Sequence, residues 1–190
     1  MAKDLVAAES DLNMAKSFNN TQLLIQRGII LYCNGKYEES AQQFADDINC
    51  LEKLKMFKAS DLRLWRSACL NKLNRTHEAI KALDIDNTAS YGIAESRYIL
   101  NNTLQFFAGK RPLEEVMEII GGTDSQDKMG TRFFGNFYLG LYYHSIGEYD
   151  LSLAFLEIPS HSERYPSTDM WHHVPRVLYD LVRNNQTHLE

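Results

Sequence analysis

Four turn signatures at nearly equal spacing constrain this chain more than any other feature. The segments "LYCNGKYEESAQQF" (31 to 44), "CLNKLNRTHEAIKAL" (69 to 83), "LQFFAGKRPLEEVM" (104 to 117) and "YYHSIGEYDLSLAFL" (142 to 156) share one order: an apolar helix end, a Gly or Asn, a short polar stretch and a second apolar helix. The turn residues Gly35, Asn74, Gly109 and Gly147 are separated by 39, 35 and 38 positions. A helix that must stop and reverse within a few residues commonly ends on a left-handed residue, a conformation that Gly adopts freely and Asn tolerates. A period of this length therefore predicts one helical hairpin per repeat.

Small residues recur in step with the turns. Gly28, Ser67 and Gly140 occupy one place in the first helix of three of these hairpins, and Ser40, Ala79 and Ser152 one place in the second. They allow the two helices to approach closely while larger residues such as Phe44, Leu83 and Leu156 fill the space beside them. Period, caps and breakers predict an all-α chain. An N-terminal helix near 3–17 is followed by hairpins at about 21–53, 58–85, 89–121 and 127–159, and by a last helix at about 172–184. Pro112 opens a helix whose first turn carries Glu114 and Glu115, where acids complement the helix dipole. The stretch 121–130 reads as a flexible joint, and 159–169 as a loop in which Pro159 and Pro166 stop the helix.

The chain has 190 residues, 44% of them hydrophobic, which predicts a single domain over 1–190, large enough to bury roughly 70% of its unfolded surface. A net charge of −5 supplies no basic field for nucleic acid or anionic lipid. Cys33, Cys50 and Cys69 are odd in number and sit inside apolar helical patterns, as reduced core residues do, so a soluble, intracellular, reducing compartment is expected. Four Asn-x-Thr matches, at Asn19, Asn74, Asn101 and Asn185, are read as chance in an Asn-rich chain. The charged start, with Lys3, Asp4, Glu9 and Asp11, offers neither a signal peptide nor a membrane span, so no membrane insertion is expected.

No catalytic constellation is expected. His161, His172 and His173, with Glu163 and Asp169, match no zinc spacing, and adjacent histidines on one helix diverge. The pairs Glu38/Glu39, Asp46/Asp47 and Glu114/Glu115 read as solvated helix faces rather than as acid and base in a cleft. Trp65, Trp171 and the aromatic run from 133 to 143 lack the basic groove that accompanies base stacking. Neither a metal nor a cofactor is implied.

An apolar edge remains as the candidate binding surface. Its first-helix positions are Ile25, Ile29 and Tyr32 in the first hairpin, Leu64 in the second, and Phe134, Phe137, Leu141 and His144 in the fourth. Such a face should be covered, either by the chain's own terminal helix or by a partner helix, peptide or second copy.

The chain resembles the tetratricopeptide repeat superfamily. The fourth hairpin carries Leu139, Gly140, Tyr143, Gly147, Tyr149, Ser152 and Leu156 at the characteristic places, and the first carries Gly28, Leu31, Gly35, Tyr37, Ser40 and Phe44. "LLIQRGIILYCNGKYEESAQQFADDI", "LRLWRSACLNKL" and "FFGNFYLGLYYHSIGEYDLSLAFL" look like tetratricopeptide proteins of plant and algal plastids and, more distantly, like bacterial NlpI-type lipoproteins. The resemblance implies a right-handed superhelix of about four hairpins with a C-terminal capping helix. It also implies a noncatalytic scaffold or assembly adaptor for a protein or peptide partner, a homodimer in the lipoprotein case, and allows a plastid address. The alternative is a self-associating subunit whose groove is closed by its own terminal helices. The first cysteine is Cys33, so the lipoproteins' acylated N-terminal cysteine does not carry over. Ile25, Ile29 and Trp65 stand where chaperone-tail clamps use Lys and Asn, so chaperone-tail binding is not expected.

Overall fold

A computed structural model describes residues 2–18, 24–53, 59–83, 95–122 and 128–186. They form ten helices and, among the described residues, no strand. The chain divides into two compact units, Met1–Ala82 and Leu83–Glu190. The first holds α1 (Ala2–Phe18), α2 (Ile25–Cys33), α3 (Tyr37–Lys53), α4 (Ser60–Lys72) and α5 (Thr76–Ala82). The second holds α6 (Glu95–Phe107), α7 (Leu113–Gly121), α8 (Lys128–Ile146), α9 (Tyr149–Ser160) and α10 (Met170–Gln186). The segments 21–23, 54–58, 84–94 and 123–127, which include hairpin ends and the expected joint, lie outside the described residues.

The four turns share one hydrogen-bond pattern. Gly35, Asn74, Gly109 and Gly147 all have positive φ, between 57° and 89°. In each turn this residue's N–H donates to the carbonyl three residues back, and the next N–H donates to the carbonyl five residues back. The pairs are Gly35 to Tyr32 and Lys36 to Leu31, Asn74 to Asn71 and Arg75 to Leu70, Gly109 to Phe106 and Lys110 to Gln105, and Gly147 to His144 and Glu148 to Tyr143. These are Schellman caps, which satisfy the otherwise orphaned carbonyls of a helix end while turning the chain.

The small-residue places bring the paired helices together. A Cβ on Gly28 would lie 2.7 Å from the Phe44 ring, and one on Gly140 would lie 2.5 Å from Leu156 Cγ. Beside each contact a serine hydroxyl crosses between helices: Ser40 Oγ donates to the Gly28 carbonyl at 2.7 Å, and Ser152 Oγ to the Gly140 carbonyl at 2.9 Å. The same close approach is thus built once in each unit, closed by an aromatic ring in the first and a leucine in the second.

In the first unit, α1 packs on α2, α2 on α3, α3 on α4 and α4 on α5. Its core centres on Trp65, buried against Tyr32 edge-on at 5.2 Å and stacked on Phe44 at 6.0 Å. Each such side chain contributes about 1.5–3 kcal/mol through burial. In the second unit, α8 packs against α6, α7, α9 and α10, and α9 against α10. Ile99, Val116 and Leu139 form a buried cluster there, flanked by Phe106, Phe134 and Phe155.

Pro159 does not end its helix as the sequence suggested. It lies buried in the last turn of α9, which runs to Ser160. There its missing N–H forfeits one bond, and Ser160 Oγ donates to the Glu157 carbonyl to hold the turn. The final helix likewise starts earlier than 172, because Asp169 Oδ1 accepts the Trp171 N–H at 2.8 Å and caps it. No described helix is long and apolar enough to cross a membrane.

Candidate functional site

The candidate groove residues fall into both units. In the first, Ile29, Tyr32 and Leu64 are buried and Ile25 is half-buried. Tyr32 meets Tyr37 and Trp65 edge-on, each at 5.2 Å, which places it in the core between α2, α3 and α4. In the second unit Phe137, Leu141 and His144 are buried, and Phe134 is half-buried. Six of the eight side chains are therefore enclosed by the chain itself.

What encloses part of the second set is visible. Trp171, at the start of α10, presents its ring edge-on to Phe134 at 5.1 Å and to Phe137 at 5.4 Å, with Tyr138 at 6.4 Å. Tyr165, in the loop before α10, meets Phe133 at 5.1 Å and Phe134 at 6.2 Å. Edge-to-face packing aligns the positive ring edge with the negative face and adds about 0.5–1.5 kcal/mol per pair beyond burial. The aromatic recess of α8 thus has a cover made of Tyr165 and Trp171.

The cover is tied down by polar contacts. His172 Nδ1 lies 2.9 Å from the Tyr165 carbonyl and His173 Nε2 lies 2.7 Å from the Ser167 carbonyl, so each ring nitrogen carries the proton and donates. Arg176 donates to the carbonyls of His172 and Ser162 and to Glu163. His161 Nδ1 similarly meets the Glu157 carbonyl at 2.8 Å. The histidine-rich segment therefore fastens a loop to a helix, and no group of residues suited to holding a metal ion occurs among the described residues.

Several other chemistry-bearing residues are held in structural settings. Cys33 and Cys69 are buried thiols pushed up to about 12 by burial, which keeps them protonated and poorly nucleophilic at neutral pH. The Cys69 thiol donates to Ser40 Oγ at 3.1 Å, beside the Gly28 contact. Asp47 Oδ1 accepts from the Leu24 N–H and from Gln43. Glu38 pairs with Arg75, and Glu115 with Arg111.

One contact escaped the sequence reading altogether. Glu9 of α1 is buried and accepts from Lys36 Nζ at 2.5 Å and Asn34 Nδ2 at 2.7 Å. Lys36 holds the Glu9 carboxyl below its ordinary value against the opposing effect of burial. A charged residue on a polar helix reads as solvated, so no sequence signal marked this contact. No protein-family model, no curated protein and no solved structure matches the chain.

Proposed function

We propose that this chain is a noncatalytic scaffold of tetratricopeptide type for protein–protein assembly. One observation carries the reading: Schellman-capped helix pairs in both units, with the Gly28/Ser40/Phe44 contact repeated as Gly140/Ser152/Leu156. That construction spends glycines and aromatics on packing helices side by side, the property that lets repeat proteins present extended surfaces. The right-handed superhelix and the plastid or lipoprotein likeness belong to this proposal. Cover by Tyr165 and Trp171 favours the form in which the recess on α8 is closed from within and association uses other surfaces. A form in which a partner fills the recess requires α10 to move first.

Affinity capture from the native source with the full chain as bait, run beside sedimentation equilibrium, tests the reading. A stoichiometric protein complex or a concentration-dependent oligomer is expected. A chain that stays monomeric and captures nothing would falsify the scaffold assignment. Trp171→Ala separates the two forms, because a partner that uses the recess gains affinity when its cover is weakened, and one that docks elsewhere is unaffected.

A further inference from the structure

The first two helix pairs align at a spacing of 39 residues, which sets Gly35 against Asn74, Lys36 against Arg75 and Ser40 against Ala79. In that register Arg27 of α2 corresponds to Arg66 of α4. Arg27 is satisfied on two sides: its Nε donates to Asn13 Oδ1 and its Nη1 to Gln43 Oε1, both at 2.8 Å. Arg66 inherits neither partner. The counterpart of Gln43 is Ala82, whose side chain accepts nothing, and the counterpart of Asn13 is Glu52, which already takes Arg63 Nη2 at 2.6 Å.

Arg66 is left half-buried, with its Nε sealed from solvent and, among the described residues, no hydrogen-bond or ion-pair partner. Its neighbours cannot help. Arg63 is engaged by Glu52 and the Ala82 carbonyl, and Arg75 by both Glu38 and Glu78. Burial first, then Arg63, work against the Arg66 charge; Glu78 favours it without a hydrogen bond, and Arg75 opposes it. A partly desolvated cation without an acceptor is costly, and supplying the acceptor recovers that cost.

We propose that Arg66 is a docking point for a carboxylate side chain presented by an acidic segment of a protein partner. A guanidinium matches a planar carboxylate through paired N–H donors. A singly charged group suits the position better than a phosphate, because Glu38 and Glu78 lie against neighbouring Arg75 and repel a second negative charge. The chain's net charge of −5 does not steer acids from afar, so the affinity rests on contact. The identity of the ligand as a protein segment rests on the scaffold reading above.

The test follows the arginine Nε–H resonances of the full chain, with the Arg66 signal assigned by its loss in Arg66→Gln. A glutamate-rich peptide with blocked termini is expected to shift that signal saturably, acetate to shift it weakly in the same direction, and the glutamine version of the peptide to leave it unmoved. Arg66→Gln should weaken peptide binding about tenfold or more, with Arg66→Lys between the two. Because Arg66 has no hydrogen-bond or ion-pair partner among the described residues, Arg66→Gln should keep the unfolding midpoint. The proposal is overturned by equal peptide affinity in Arg66→Gln, by a saturable shift with inorganic phosphate tighter than with the peptide, or by marked destabilisation of Arg66→Gln. If wild type captures a partner that Arg66→Gln retains, this inference alone fails; if wild type captures none, the scaffold reading fails while the anion titration still reports on Arg66.

Discussion

The two terminal helices are held to their units by opposite means. In α1 the buried described side chain is a carboxylate: Glu9 is clasped by Lys36 and Asn34, while Leu5, Ala8 and Leu12 are only half-buried. In α10 the buried side chains are Pro175, Leu178 and Val182, with Trp171 packed into the aromatic recess. A helix attached by apolar burial is part of its core and unfolds with it; one attached by an ionic clasp can leave while the rest stays folded. On its described side chains the N-terminal helix is expected to detach first, and the C-terminal helix to unfold with its core.

The sharpest way to break this comparison is Leu178→Ala. Removing a fully buried leucine is expected to cost about 3 kcal/mol, and α8, α9 and α10 should lose hydrogen-exchange protection together. Protection lost in α10 alone would make that helix the detachable one. Trp171→Ala comes next: a half-buried ring in several edge-to-face contacts is expected to cost about 2 kcal/mol, read in urea unfolding and near-ultraviolet circular dichroism.

Glu9→Gln should have the smallest global effect and the most local one. Amide exchange in α1 is expected to rise several-fold while the exchange of α3 and α4 stays unchanged. The pH dependence has a defined sign. Because the folded carboxyl lies below its ordinary value, its stabilisation is complete above the unfolded value of roughly 4.3 and is lost as pH falls through the lower folded value. Lys36 is shifted upward by the same bond and stays charged throughout that window. Faster α1 exchange should therefore set in only below about pH 4, and be absent in Glu9→Gln. An onset near neutrality would point to a different group.

The helix pairs were legible because their turns use residues with few alternatives. A left-handed position one or two residues after a helix end leaves Gly or Asn as the ready choices, so Gly35, Asn74, Gly109 and Gly147 announced the turns that the backbone adopts. The candidate groove was not legible to the same depth. Helical spacing sets the side of a helix on which Phe137 and Leu141 lie, but whether that side meets water depends on what returns to cover it. The return of Trp171 is set by tertiary packing after a loop. Arg27 and Arg66 show the same limit. They are equivalent in sequence register, yet one is satisfied and the other is not, because the difference lies in Gln43 against Ala82 on the neighbouring helix.

The four Schellman caps also bear on how this chain acquires its structure over time. Each cap closes with backbone donors and acceptors no more than five residues apart, so a turn needs nothing from distant sequence to take its shape. Contacts between the helices it joins are then short-range along the chain, and low contact order speeds folding because little loop entropy is lost before packing compensates for it. Within each unit the later helix pair is therefore expected to pack on one that has already formed. Such a chain can be assembled in the order in which it is made.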